Sequence, residues 1–362
     1  METLTTDRTG FADLHDGAYA IGIDIGGTKM LGVAVDERGR IIASTRIPTE
    51  RGRGGVVAGV GHAVRALGIA LPGRRPRSVG IGVPGLVDPE RGHVSLAVNV
   101  GLEECALRDL VEDAVGVATS VDNDVAVAAL GEADADRTVR SLALVSIGTG
   151  LAVGHVVDGR ASRGGSAAGE IGHLPVEPDG PLCGCGQRGC LVLYLSGSGI
   201  ARMTGGAGAG AQELADRVSS GDESAAAVFD LVVERLVWAV QLLALTIDPD
   251  RILIGGGVAG LGTALMEPVL ARMRRDAAAS RFVASLRLDE RRPGIRTRDR
   301  GRRRGAIGHA VLSDGSRPLT GAAECRRPAR AVLTVAAVGR QSSGMYSTRN
   351  RRRVRERPLS SS

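Results

Sequence analysis

The sequence predicts an α/β fold built from two related halves. Near the N-terminus, three predicted strands form a meander, and a helix and a further strand follow them. A predicted hairpin over 141–161 begins a second block of similar order. The first hairpin of each half bends at glycines, so the two halves resemble each other in their loops as well as in the order of their elements.

The elements follow from apolar periodicity and from glycine and proline breaks. Those of the first half are strands over 18–27, 28–36 and 40–48, a helix over 55–71, a strand over 77–85, a helix over 104–116 and a strand turning into a helix over 119–133. Those of the second half are the hairpin, a long buried helix over 223–250, a strand over 251–260 and a helix over 261–273. Gly116 and the Asp248-Pro249 pair supply helix ends.

Charge is distributed unevenly along the 362 residues. From 291 onward the chain has 19 Arg and four acidic residues, a net charge of +15, so residues 1–290 carry −9 of the total of +6. The high isoelectric point therefore says little about what the acidic body binds. Lys29 is the single lysine of the chain.

Composition argues against membrane and secreted classes. Glu234 and Arg235 interrupt the best apolar run before it reaches membrane-spanning length. The N-terminus lacks the basic start and apolar stretch of a signal peptide. Cys105 and Cys325 stand alone, which favours a reducing cytoplasm over a disulfide framework. We therefore expect a cytoplasmic protein with no membrane partner.

The bend Asp24-Ile25-Gly26-Gly27-Thr28-Lys29 joins two predicted strands. Glycines let backbone N–H groups approach an anion closely, and the side chains of Thr28 and Lys29 add donors. Asp24 is suited to holding a metal-bound water near phosphates. The alternative is an ordinary Gly-Gly hairpin turn, which needs only the glycines. The position of the single lysine favours the anion site.

Two glycine bends follow in the second half. Gly148-Thr149-Gly150 is a hairpin bend of the same type, and Gly255-Gly256-Gly257 ends a strand and opens a helix, a place for an adenosine or a phosphate. One such hairpin per half predicts a nucleotide in a cleft between domains. The alternative is a dinucleotide enzyme, because 80–85 and 255–260 both match G-x-G-x-x-G. No helix follows the first match, and no convincing acidic ribose-binding residue follows the second, so this class is disfavoured.

Two polar clusters remain. Asp122-Asn123-Asp124 begins a helix, where a carboxylate is often only a cap, but a cap does not require the adjacent Asn-Asp pair. His173, Cys183, Cys185 and Cys190 supply one imidazole and three thiolates, a complete tetrahedral zinc set. The alternative is free thiols on a loop. With no open coordination position, the predicted zinc is structural, and the other ring nitrogen of His173 can turn toward a pocket.

Several of these stretches together resemble one family, the ROK family of sugar kinases and sugar-responsive repressors. The resemblance runs from about Tyr19 to Leu312 and rests on "IGIDIGGTK", "GIGVPGLVD", "VDNDVAVAALGEA", "SIGTG", "RGGSAAGEIGH", "CGCGQRGCL" and "LTIDPDRILIGGG". It implies a two-domain actin-like ATPase (ribonuclease H-like) fold with an inter-domain cleft. The expected divisions are an N-terminal extension over 1–18, a small α/β domain over 19–120, a large α/β domain with the zinc loop over 121–300, a final helix over 301–313 and a basic, disordered tail over 314–362.

The resemblance also implies an activity, namely phosphoryl transfer from Mg²⁺-bound ATP to a hexose hydroxyl, most simply glucose to glucose 6-phosphate. Asp124 matches the family's general base. Asn99, Asn123, Glu170 and His173 match its sugar-binding residues. We further expect a homodimer or homotetramer.

The chain departs from the family at several positions. Val192 stands where the family usually has a Glu that hydrogen-bonds sugar hydroxyls, Ala152 replaces a usual Gly, and His155 replaces an apolar residue. Affinity for the sugar, or the choice of sugar, is therefore open. The alternatives are a kinase for fructose, mannose or an N-acetylated amino sugar, and a non-enzymatic or weakly active sugar-responsive regulator. About twenty residues precede the first strand, too few for the helix-turn-helix of such regulators. The arginine-rich tail has no regular pattern, so we expect no nucleic-acid partner.

Overall fold

The computed structural model describes residues 5–6, 18–135, 138–164, 167–205, 210–289 and 294–295. These residues all belong to one compact unit, Met1–Ala331, whereas the second unit, Val332–Ser362, lies outside the described residues. The predicted final helix over 301–313 and the predicted tail over 314–362 also lie outside them.

Runs of strands and runs of helices follow one another along the described chain. The strands are β1 (Thr5–Thr6), β2 (Ala18–Ile25), β3 (Lys29–Val35), β4 (Ile41–Pro48), β5 (Arg75–Val83), β6 (Leu86–Asp88), β7 (His93–Ala97), β8 (Leu102–Cys105), β9 (Thr119–Asn123), β10 (Ser141–Ile147), β11 (Leu151–Val157), β12 (Arg160–Ala161), β13 (Arg251–Gly255) and β14 (Gly294–Ile295). The helices are α1 (Gly52–Ala70), α2 (Leu107–Val115), α3 (Asp124–Ala135), α4 (Val192–Leu195), α5 (Gly197–Met203), α6 (Ala211–Ser219), α7 (Glu223–Thr246), α8 (Thr263–Ala279) and α9 (Arg281–Ser285). Short 3-10 turns lie at Val98–Val100, Ile171–His173 and Val258–Leu261.

The first sheet has the strand order β1-β4-β3-β2-β5-β9. Strands β2, β3 and β4 form the predicted antiparallel meander, and β5 and β9 run parallel to β2. The apolar residues of β2 and β5 are buried in one cluster with α1 and α2. Because β2, β5 and β9 are parallel, their carboxyl ends meet at one edge of this sheet.

The second sheet has the order β12-β11-β10-β13-β14, with β10 and β11 as the predicted hairpin and β13 parallel to β10. Its core is built largely from α7. Asp222 caps the start of that helix, because its Oδ1 accepts the Ala225 N–H at 3.1 Å, and the helix ends at Thr246, before the predicted Asp248-Pro249 stop. A separate three-stranded sheet, in the order β6-β7-β8, follows β5. The described chain therefore has the predicted α/β architecture in two blocks.

Two predicted helix starts are wrong in detail. The helix expected from 104 begins at Leu107, because the preceding residues form β8 and pair with β7, which buries Cys105. The loop at 255–257 opens first into the 3-10 turn Val258–Leu261, and α8 begins only at Thr263. Gly262 has a φ of +61°, which interrupts helical geometry between the two segments.

Candidate active site

The carboxyl edge of the first sheet carries a row of predicted site residues. Asp24 of β2 is in register with Gly82 of β5, and Gly82 is in register with Asp122 of β9. Residues in register lie on the same face of a sheet, and two strand spacings separate Asp24 from Asp122 by about 10 Å. The buried Gly82 between them adds no side chain, so no third side chain separates the two carboxylates.

The first glycine bend lies directly beyond that row. The Gly26 N–H donates to the Lys29 carbonyl oxygen at 3.0 Å, closing the bend, and the Thr49 hydroxyl donates to the Gly26 carbonyl oxygen at 2.7 Å. A Cβ atom on Gly27 would lie 3.3 Å from the carbonyl oxygen of Asn99. The predicted phosphate bend and the predicted sugar-binding Asn99 are therefore neighbours.

The start of α3 combines a cap with the predicted base. The Oδ1 atom of Asn123 accepts the N–H groups of Val125 at 2.9 Å and Ala126 at 3.1 Å, and its Nδ2 donates to the Gly85 carbonyl oxygen at 3.0 Å. Asn123 is thus the helix cap that was the alternative interpretation of this cluster. Asp124 is the first residue of α3 and half-buried, and its Oδ1 accepts the Val125 N–H at 2.9 Å. A helix N-terminus favours the ionised carboxylate.

Glu170 and His173 lie on a segment that is seated on β11. Gly169 has a φ of +91°, and a Cβ there would overlap the Val153 carbonyl oxygen, while the Val153 N–H donates to the Gly169 carbonyl oxygen at 2.8 Å. On the same strand, Gly154 abuts the Val125 backbone of α3. Strand β11 therefore positions this segment and the start of α3 together. Burial raises the pKa of Glu170, and the nearby His173 opposes that shift.

The glycine bends of the second sheet also meet. The backbone of Gly256 lies against the Ile147 carbonyl at the end of β10, where a Cβ could not fit. Gly148-Thr149-Gly150 follows Ile147 directly, so the two bends are adjacent. The Gly197 N–H donates to the Gly148 carbonyl oxygen at 2.8 Å, and the Ser198 hydroxyl donates to the Thr149 carbonyl oxygen at 2.7 Å. The first turn of α5 thus supports the second hairpin bend.

The ligand atoms of His173, Cys183, Cys185 and Cys190 all lie within 4.8 Å of one another. The Cys183 sulfur is 3.8 Å from His173 Nδ1, and the Cys185 and Cys190 sulfurs are 3.6 Å apart, which excludes a disulfide. Zinc bonds of about 2.3 Å to sulfur and 2.0 Å to nitrogen would place tetrahedral ligands roughly 3.5–3.8 Å apart. The four residues therefore fit a zinc ion.

The zinc segment is ordered by its own backbone. The Val176 N–H donates to the Gly189 carbonyl oxygen at 2.9 Å, and the Leu191 N–H donates to the Leu174 carbonyl oxygen at 2.9 Å, so the two ends of the segment run side by side. A backbone hydrogen bond from Gln187 lowers the pKa of Cys185. Burial, with the neighbouring sulfurs, raises the pKa of Cys190, so the two thiols differ in how readily they ionise, and the support for a metal comes from the geometry of the four ligands.

Three contacts were not predicted from the sequence. Thr49 supports the first bend, Ser198 supports the second, and Arg163 forms an ion pair with Asp122. Arg163 and Asp122 both fall inside the motifs that resemble the family, which is the signal that could have found them. Thr49 and Ser198 are ordinary polar residues near turns, and no sequence pattern marks them.

The three residues that depart from the family pattern all lie in regular helices or strands. Val192 is the first residue of α4; it is half-buried and packs against the core of the second sheet. Ala152 lies on β11, one residue beyond its start. His155 lies further along β11, half-buried, with its Nε2 3.1 Å from the Ser141 hydroxyl, and burial lowers its pKa. His155 is thus a half-buried histidine on a strand.

The chain is similar to known proteins in sequence and in fold. The sequence model of the ROK family matches residues 20–315. A glucokinase of Halalkalibacterium halodurans is 32% identical over 277 residues, 69% of this chain and 84% of that protein. An N-acetylmannosamine kinase of Citrobacter koseri is 34% identical over 265 residues, 70% of this chain and 87% of that protein. The structure of a ROK family glucokinase from Streptomyces griseus, in complex with glucose and AMPPNP, superposes with a TM-score of 0.66 at 31% identity, covering 82% of this chain and 99% of that one.

Within the described part of the chain, no helix is both long enough and apolar enough to cross a membrane.

Proposed function

The chain belongs to the ROK family, and from that premise we propose that it transfers the terminal phosphoryl group of ATP to a hexose hydroxyl, with glucose as the first candidate substrate. Similarity to the glucokinases supports this activity. The observation that carries this proposal is a shared location: Asp124, the cap residue Asn123 and the Asn99–Gly27 contact all lie at one edge of the first sheet.

The sugar is assigned to the groups around the start of α3. Asn99 and Glu170 hydrogen-bond its hydroxyls, and Asp124 accepts the proton of the attacking hydroxyl. The Oδ1 and Nδ2 atoms of Asn123 already form hydrogen bonds with backbone groups of the protein. The main role of Asn123 is therefore to fix the turn that positions Asp124. Positioning and charge neutralisation supply most of the rate in such transfers.

The nucleotide is assigned to the three glycine bends. Backbone N–H groups and the side chains of Thr28 and Lys29 bind phosphate oxygens at the first bend, and 148–150 and 255–257 bind the remainder of ATP. Asp24, half-buried at the end of β2, is suited to hold Mg²⁺ through a bound water. When bound, Mg²⁺ neutralises developing charge on the phosphates.

The zinc site is assigned a structural role. His173, Cys183, Cys185 and Cys190 form a complete ligand set with no position for a substrate. His173 directs its Nδ1 toward the cysteine sulfurs, which leaves Nε2 on the opposite side of the ring for the sugar.

We also propose that the chain self-associates as a homodimer or homotetramer. Trp238 and Leu245, seven residues apart on α7, are exposed at 36% and 51%, an apolar surface that association would cover. Light scattering on the purified protein measures this directly, and a monomer at micromolar concentration would contradict it.

Similarity to an N-acetylmannosamine kinase favours a second candidate, an N-acetylated amino sugar as substrate. A panel of hexoses and N-acetylated amino sugars, each supplied with ATP and Mg²⁺ in a coupled assay of ADP release, separates the candidates. The sugar with the highest kcat/KM is the substrate. Sugar-independent ADP release alone, or none, would contradict the proposed kinase and leave the regulator as the alternative.

The assigned base has its own test. Asp124→Asn keeps the shape of the side chain but cannot accept a proton at neutral pH, so kcat should fall by roughly 10²–10⁴-fold while sugar binding, measured by calorimetry, remains. A variant that retains more than about a tenth of wild-type kcat would show that Asp124 is not the base.

A further inference from the structure

The ion pair between Asp122 and Arg163 connects two parts of the site that belong to different sheets. Asp122 lies near the carboxyl end of β9 in the first sheet, two residues before Asp124. Arg163 follows β12, the edge strand of the second sheet, in the stretch that leads to Glu170. The Arg163 Nε donates to Asp122 Oδ2 at 3.1 Å, and its Nη2 donates to the same oxygen.

This ion pair differs from an ordinary surface ion pair because its carboxylate is buried. The Asp122 side chain is only 6% exposed and that of Arg163 is 37% exposed. The second oxygen of Asp122, Oδ1, accepts the backbone N–H of Asn123 at 2.8 Å. One carboxylate therefore bonds the guanidinium from one side and the backbone that enters α3 from the other.

We propose that Arg163 is a positioning residue for phosphoryl transfer: through Asp122 it fixes the end of β9, so that Asp124 faces the hydroxyl of the bound sugar. This inference rests on the proposed function, because Asp124 acts as a base only in that reaction. Arg163 itself touches neither substrate in this account. It acts on the base by way of Asp122 and the Asn123 backbone.

The arrangement requires a guanidinium rather than a positive charge alone. Two nitrogens of Arg163 donate to one oxygen, and a lysine offers a single nitrogen that cannot occupy both places. Without any cation, the buried Asp122 carboxylate loses its main counter-charge and must find water, which displaces the end of β9. By contrast, the sugar-binding segment remains seated on β11 through Gly169 and Gly172, whichever residue stands at 163.

The test measures kcat, KM for the hexose, calorimetric hexose affinity and Tm in a set of variants. Arg163→Gln should lower kcat by roughly 10- to 100-fold, the range that misplacement of a catalytic group produces, with KM changed less than about threefold. Arg163→Lys should be intermediate. The double variant Arg163→Gln with Asp122→Asn should recover at least about threefold in kcat over Arg163→Gln, because the uncompensated charge is gone.

The matched control is Arg140→Gln. Arg140 also forms an ion pair with an aspartate, Asp158, at 3.0 Å, but both side chains are exposed at the end of the β10–β11 hairpin away from the glycine bend. Its kcat should stay within about twofold of wild type.

The results distinguish this inference from the proposed function. Wild-type protein that turns over no hexose overturns both. If the wild type is active, a folded Arg163→Gln variant whose kcat is within about twofold of the wild-type value overturns only the role of Arg163. The same conclusion follows if the variant's loss of kcat/KM comes entirely from a higher KM. If Arg163→Gln does not fold, the Arg163→Lys variant tests the inference instead. An unchanged kcat in Arg163→Lys also overturns the positioning role of Arg163.

Discussion

Replacing Val192 with glutamate tests whether this chain lacks a sugar contact that the resemblance to the family leads us to expect at this position. Val192 is the first residue of α4, two positions after the zinc ligand Cys190, and it is flanked by the fully buried Leu191 and Leu195. Its own side chain is half-buried against the core of the second sheet. Because part of it remains accessible, the stem of a glutamate can cover the same apolar surface while its carboxylate reaches solvent or sugar.

Two opposing effects set the expected magnitude. One restored hydrogen bond of about 1.4 kcal/mol would lower KM for glucose by up to roughly tenfold. Against this, the packing of the valine methyls is lost, and a half-buried valine stabilises the fold by about 1–2 kcal/mol. That loss would lower Tm by roughly 2–6 °C in a protein of this size. Affinity should thus improve while stability falls, and kcat should change little because the contact is equal in ground and transition states.

The assay compares Val192→Glu with Val192→Met across the hexose panel. Methionine is close to glutamate in length but accepts no strong hydrogen bond, so it should leave KM unchanged. Thermal unfolding with and without glucose records the stability of each variant. A folded Val192→Glu protein whose KM matches that of Val192→Met on every hexose would refute the reasoning, since position 192 would then not face the sugar.

The remaining predictions concern the metal and pH. Wild-type protein should contain one zinc per chain; Cys185→Ser should contain none and unfold several degrees lower, whereas Cys105→Ala, which is buried outside the cluster, should keep its zinc, as elemental analysis would show. Burial lowers the pKa of His155 below its ordinary value of 6.5, so the unfolded chain takes up the proton more readily and stability falls as the pH decreases through that range. His155→Gln should flatten the decline in Tm between about pH 7 and pH 5, and an unchanged profile would contradict this.

The fold was predictable because its signals are local. Glycine at each bend and the apolar strands of the meander act within a few residues, and the structure has both hairpins and the meander where they were predicted, whereas several helix ends differ by two or more residues. Strand β8 was missed because Leu102–Cys105 is polar at its centre and becomes a strand only by pairing with β7. Tertiary pairing of that kind overrides local propensity.

The site was predictable only in part, for a similar reason. Motif residues such as Asp124 and the zinc ligands are marked by spacing, and the structure gathers the four metal ligands within one small volume. The sequence does not show which of three neighbouring residues has which role. In Asp122-Asn123-Asp124, the middle residue caps α3, whereas the first forms an ion pair with Arg163. The cap itself is local, but the bond from Arg163 to Asp122 joins residues 41 positions apart, and the bond from Asn123 to Gly85 joins residues 38 positions apart.

The proposed zinc site has a structural role that does not depend on residue 192. Between His173 and Cys190 the apolar side chains Leu174 and Leu182 are exposed at 37% and 65%, so the segment has little core of its own. A metal cross-link supplies the order that burial cannot. On one side the segment follows Glu170; on the other, Cys190 leads through α4 into α5, whose first residues bond the bend at 148–150. A bound zinc would thus reinforce, beside the backbone hydrogen bonds, a segment that joins a proposed sugar-binding residue to a proposed nucleotide bend, whether residue 192 is Val or Glu.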